Sequence, residues 1–238
     1  MITPINTATN IPGKPIHVPI GVFPAALVFT PDGKTAYIST TDGTVTPINT
    51  ATNTRGKPIH LGTGIFDLAI TPDGKTLYAA GVHTITPIST ATNAPGKPIF
   101  VRRPPSALAI TPDGKTLYVG SQFAVTPIST ATNKAGKPIL IGGGVLETAI
   151  TPDGKTVYVA SDDEGSPGTV TPISTATNKA GKPIHVGASV AIAITPDGTT
   201  LYAAALSKVV PISTATNTPG KPIRQAGLGY PRGIVIAP

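Results

Sequence analysis

The sequence predicts an all-β fold made from one four-stranded unit repeated six times, and three observations predict it. The segment Thr-Ala-Thr-Asn ends at Asn10, Asn53, Asn93, Asn133, Asn178 and Asn217, at intervals of 43, 40, 40, 45 and 39 residues. A second motif, Thr-Pro-Asp-Gly, ends at Gly33, Gly74, Gly114, Gly154 and Gly198, at intervals of 41, 40, 40 and 44. Between the motifs, short apolar and β-branched runs are bounded by Gly and Pro, and no helical periodicity occurs. Four short strands in about forty residues is the pattern of a propeller blade. The prediction is therefore a single six-bladed β-propeller domain over residues 1–238.

The elements follow in order within a unit. Strand A is the run before the turn, Leu68-Ala69-Ile70 in one copy. Thr71-Pro72-Asp73-Gly74 is a tight turn, because Pro presets φ and Gly accepts a positive φ. Strand B is Thr76-Leu77-Tyr78-Ala79 and strand C is Ile85-Thr86-Pro87-Ile88. The Thr-Ala-Thr-Asn turn and a Gly-Lys-Pro follow, and strand D is Pro98-Ile99-Phe100-Val101. The prolines in C and D suit outer strands, where a missing N–H is tolerated.

Strands A, C and D occur six times and strand B five times. The closing blade is expected to be built from both termini and to be short of one strand. Residues 233–236 would supply strand A, residues 2–5 strand C and residues 15–18 strand D. The 45-residue interval comes from an insert, Asp162-Asp163-Glu164-Gly165-Ser166-Pro167-Gly168, which reads as a polar loop longer than its counterparts.

The pattern Leu-Ala-Ile-Thr-Pro-Asp-Gly-Lys-Thr-Leu-Tyr-Ala-Ala, then Thr-Pro-Ile-Ser-Thr-Ala-Thr-Asn, resembles the YVTN family of β-propeller repeats over essentially the whole chain. The resemblance implies a binding or scaffold module of the kind found in surface, periplasmic and multidomain proteins, so an extracytoplasmic location is what it suggests. It does not name an activity, since propellers also host hydrolases and lyases. Met1 runs directly into the repeat residues Thr3-Pro4-Ile5, and the reading expects no signal peptide in this chain.

Composition narrows the chemistry. With no cysteine, disulfides, thiolate metal sites and cysteine nucleophiles are excluded. No run approaches the length of a membrane-spanning helix, so no membrane insertion is expected. The net charge of +7 is a property of the repeat. Lys14, Lys57, Lys97, Lys137, Lys182 and Lys221 follow the C–D turn, and Lys34, Lys75, Lys115 and Lys155 follow the A–B turn. Those turns carry no aromatic platform for stacking bases, so nucleic acid is not expected as a partner. The reading is of a monomer without a cofactor, engaging a protein or a small molecule.

Departures from the repeat mark candidate functional residues. Four residues before the Thr of the A–B turn the copies read Ala26, Asp67, Ala107, Glu147, Ala191 and Gly233. Two carboxylates thus stand where the other copies are small, at the channel end of strand A. The neighbouring loops add Arg102, Arg103, Tyr230 and Arg232, and His83 lies in a B–C loop. These five, with Asp67 and Glu147, are the candidate ligand-binding residues. Acids beside arginines can hold a polar ligand, act as a general base in a lyase or hydrolase, or simply form ion pairs such as Asp67 with Arg102 or Arg103. His17, His60 and His185 share one strand-D position and point outward from different blades, so they cannot form one metal site. No metal site is expected.

Overall fold

The computed structural model describes residues 1–17, 23–163 and 166–224, together with Ile234 and Ile236. All of its regular elements are β-strands; among the described residues no helix forms, and none long and apolar enough to cross a membrane is present. Two compact units are resolved, Met1–Phe100 and Val101–Pro238, and each is taken by itself.

In the first unit, one sheet runs A to D as Pro24–Phe29, Thr35–Thr40, Thr44–Asn49 and Ile59–His60, all antiparallel. The next repeats this order as Asp67–Ile70, Thr76–Ala80, Thr84–Ser89 and Ile99–Phe100. The N-terminal residues form a C–D pair, with Ile5–Asn6 against Ile11–Pro12 and a bridge between Ile2 and Ile16. In the second unit, strands B and C of the first repeat run together as Thr116–Ser129, after strand A at Pro105–Ile110. Strands D and A likewise run together as Ile139–Ile150. The later A-to-D strands are Thr156–Asp163, Ser166–Ser174 and Ile184–His185, then Ser189–Ile194, Thr200–Ala205, Lys208–Ser213 and Ile223–Arg224.

Strand B is buried on both faces. Leu77, Tyr78, Ala79 and Ala80 are all closed to solvent, which is why the sequence runs apolar there without alternation. The core lies between successive sheets. Tyr37, Val45 and Ile59 of one sheet pack with Ile65, Leu68, Leu77 and Ile88 of the next. In the second unit, Tyr158, Val170 and Ile184 meet Ile192, Leu201 and Ile212 in the same manner.

Strand D departs from the expected four residues. It is two residues long at Ile59–His60, Ile99–Phe100, Ile184–His185 and Ile223–Arg224, and a separate two-residue strand such as Thr54–Arg55 pairs with the far end of strand C. The proline of strand C causes the break. Pro47 has no N–H to offer, and its carbonyl instead accepts from Gly56 N–H at 2.8 Å. The chain bulges there through Gly-Lys-Pro before rejoining strand C. A Cβ on Gly56 would lie 2.9 Å from Pro47 Cγ, so only glycine fits this crossing.

The insert at residues 162–168 is not a plain loop. The B–C ladder continues into it, with Ser161 opposite Thr169 and Asp163 opposite Ser166. Residues 164 and 165 lie outside the described residues, as do Tyr230, Arg232 and most of the strand expected at residues 233–236.

Candidate functional site

The two ends of each sheet are built differently. At the A–B end the repeat is rigidly self-bonded. The Thr111 hydroxyl donates to Asp113 Oδ1 at 2.6 Å, and Asp113 Oδ1 accepts from Lys115 N–H at 3.0 Å. The same set recurs at Thr30, Thr71, Thr151 and Thr195. A threonine from the C–D turn ties the two turns together, as Thr130 Oγ1 donates to the Gly114 carbonyl at 2.6 Å. Four exposed Lys–Asp pairs such as Lys155–Asp153, at 3.3 Å, decorate this end and add little stability. These bonds hold the turn aspartates below the usual carboxylate range, with the threonine hydroxyl as the largest cause. A groove of about 600 Å³ on the first unit, bordered by Lys14, His17, Asn53, Arg55 and Gly56, consists largely of such repeated-turn residues. It follows from the repeat and not from a departure.

The opposite end carries the departures. Glu147 is half-buried at the start of its strand A, and its Oε2 accepts from the buried Ile192 N–H at 2.7 Å. A nearby bond has the same sense: the Ser106 hydroxyl donates to the Val145 carbonyl at 2.7 Å. Both connect the strand A of one sheet with that of the next. Glu147 thus holds a neighbouring backbone. Asp67 is half-buried at the matching position of the first unit, where its Oδ1 accepts from Leu68 N–H at 2.8 Å. His83 is exposed in a B–C turn of that unit, and His17, His60 and His185 are exposed as well. Among the described residues no three His, Asp or Glu cluster as a metal site would require.

Arg102 and Arg103 are brought together with groups that sequence reasoning did not select. They border a cleft of about 260 Å³ whose walls include Val101, Val119, Ser121, Ala124, Thr126, Pro138 and Leu140. Ala124 and Leu140 are register partners across the C–D pair. The Arg103 guanidinium lies 5.7 Å from the centroid of the Phe123 ring, within cation–π range. Among the described residues of this unit, neither arginine makes an ion pair. Phe123 holds φ at 65°, a conformation that glycine or asparagine adopts readily and a bulky residue does not. The comparison of repeats that singled out the arginines could also have found Phe123, since no other copy has an aromatic in its B–C turn.

No family model matches the chain, and no curated protein matches it. Solved structures do. A chain of Kuenenia stuttgartiensis hydrazine synthase superposes with a TM-score of 0.78 at 25% identity, covering 88% of this chain and 68% of that one. The structure of U3-55K superposes with a TM-score of 0.75 at 17% identity, covering 90% and 70%. With the repeated four-stranded sheets, these likenesses define the class: the chain is an all-β, propeller-like repeat protein.

Proposed function

We propose that the chain is a non-enzymatic binding or scaffold module: a six-bladed, YVTN-type propeller that engages its partner through the B–C and D–A loops. In this reading residues 1–238 form one monomeric domain, and its closing blade combines residues 233–236 with the N-terminal C–D pair. The observation that carries it is the use made of Glu147. Its carboxylate is committed to the Ile192 backbone, while Arg102 and Arg103 border an open, largely apolar cleft. A lyase or hydrolase needs a general base that reaches substrate, whereas a binding surface needs arginines and apolar groups exposed together. Propeller-like neighbours are consistent with such a module and do not specify it.

Panning a random peptide display library against the purified chain tests this. Enriched peptides that bind saturably and compete with one another support the reading. A library that yields no binder, together with an ester- or glycan-cleaving activity that Glu147→Gln abolishes, overturns it.

A further inference from the structure

We infer that the cleft beside Arg102 and Arg103 receives an acidic–apolar segment of a partner protein: one apolar side chain enters between Val119 and Leu140, and flanking Asp or Glu residues meet the two guanidinium groups. This rests on the binding-module reading and names the partner's chemistry.

Charge complementarity carries the first half. Arg102 and Arg103 are exposed, and among the described residues of their unit neither has a carboxylate partner. None of the cleft's lining residues is acidic. A guanidinium recognises a carboxylate through paired N–H donors, so an anionic group on the ligand completes what the chain leaves open. The lysines of the repeated turns are not involved, because they belong to the other end of each sheet.

The walls carry the second half. Val119 and Ala124 form an apolar floor that is already desolvated, at 2% and 7% exposure, while Leu140 stands 78% exposed at the rim. A segment that covered Leu140 would remove that apolar surface from water. The volume of about 260 Å³ lies below the range of about 300–1,000 Å³ usual for enclosing a small molecule. It suits one side chain, with the rest of the segment lying across Leu140 and Phe123.

Phe123 supplies the third observation. A left-handed turn position that glycine would fill without strain instead carries an aromatic ring, and strain of this kind collects at functional sites. The ring does two things there. It lies against the Arg103 guanidinium, which limits the arginine's freedom before a ligand arrives. It also extends the apolar rim, being itself partly exposed.

Fluorescence anisotropy with labelled synthetic peptides tests the assignment. One peptide carries Leu or Phe flanked by Asp and Glu, a second replaces the acids with Lys, and a third replaces them with Gln; phenylacetate serves as a small-molecule competitor. The acidic peptide should bind saturably and less tightly as salt rises, and the Lys peptide should not bind. Arg102→Ala and Arg103→Ala should each weaken binding by about tenfold. Phe123→Gly, which removes the ring at a position where glycine is relaxed, should weaken binding while leaving the melting temperature unchanged or higher. Arg103→Lys should recover only part of the loss from Arg103→Ala, since it restores charge without the planar group. Acidic-peptide binding that is unchanged in the Arg102→Ala/Arg103→Ala protein overturns the cleft assignment and leaves the module reading standing. So does enrichment from a display library of peptides lacking acidic residues. Saturable phenylacetate binding with no peptide binding also overturns the assignment, and makes the occupant a small acid. A chain that binds no peptide of any charge and shows Glu147-dependent turnover overturns both.

Discussion

The Tyr158 hydroxyl donates to the Asn217 side-chain oxygen at 2.6 Å, across a sequence separation of 59 residues. Tyr158 stands in strand B of one sheet, fully buried, and Asn217 ends the C–D turn of the next. The same clasp joins Tyr37 to Asn93 at 2.9 Å and Tyr118 to Asn178 at 2.8 Å. These asparagines adopt φ between 52° and 57°, so one residue supplies both a left-handed backbone and an acceptor. Glycine could supply only the first.

Replacing Tyr158 with Phe should cost about 1 kcal/mol, the net worth of one hydrogen bond. Asn217→Gly should cost a similar amount, because it keeps the backbone and deletes the acceptor. Asn217→Ala should cost about a further 1–2 kcal/mol for left-handed strain. Urea unfolding of Tyr158→Phe, Asn217→Gly and the double variant checks this. The double variant should lose about as much as either single change. Strict additivity would show that the two residues do not act as a pair.

Glu147 offers a sharper contrast. Glu147→Ala strands the Ile192 N–H, which belongs to a residue 3% exposed. The expected destabilisation is about 1–3 kcal/mol. Glu147→Gln retains an acceptor oxygen and should lose clearly less. A general base would rank these variants differently, with Gln as damaging to activity as Ala. Paired measurements of melting and binding therefore separate a positioning role from a chemical one.

Much of the architecture was legible because the motifs repeat. Period, strand order and turn chemistry follow from Thr-Pro-Asp-Gly and Pro-Ile-Ser-Thr-Ala-Thr-Asn alone. The split of strand D was not, because it depends on a missing N–H at Pro47 being answered across the sheet by Gly56. The clasp from Tyr158 to Asn217 was also hidden, since both residues recur in every full unit and nothing in one copy says which neighbour it reaches. At the candidate site, the arginines stood out as departures. Glu147 stood out equally, but its partner is a backbone N–H, and a backbone group leaves no trace in side-chain identity.

The turn aspartates should contribute to how stability falls in acid. Asp113 is held below its ordinary range first by the Thr111 hydroxyl and then by the Lys115 N–H; Asp32, Asp73, Asp153 and Asp197 share this arrangement. A carboxyl with a lowered folded-state pKa contributes stability that is present above its unfolded value and lost as pH falls through the folded one. Melting temperature should therefore be insensitive to these groups near neutrality and should fall below about pH 4. Thr111→Val removes the first donor, so the Asp113 titration followed by NMR should move up toward the unperturbed carboxylate value. An unmoved midpoint would assign the shift to the backbone instead.

Gly120 is required for space, not for backbone freedom, and this sets the last prediction. The equivalent strand-B positions hold Ser39, Ala80, Ala160 and Ala204, so alanine is otherwise welcome there. At Gly120, however, a Cβ would lie 2.5 Å from Val145 Cγ1 and 3.0 Å from Val145 Cβ. Val145 cannot easily step aside. It is 4% exposed, its carbonyl is held by the Ser106 hydroxyl at 2.7 Å, and a β-branched side chain has few rotamers to choose from. Gly120→Ala should therefore destabilise the chain by about 1–3 kcal/mol through overpacking. Val145→Ala alone should also destabilise, by leaving a void. Combined, the two changes exchange volume across the same contact, and the double variant should be more stable than the sum of the single losses by about 1 kcal/mol or more. A double-mutant cycle by urea denaturation reads this directly, and simple additivity would show that Val145 is not what keeps position 120 empty.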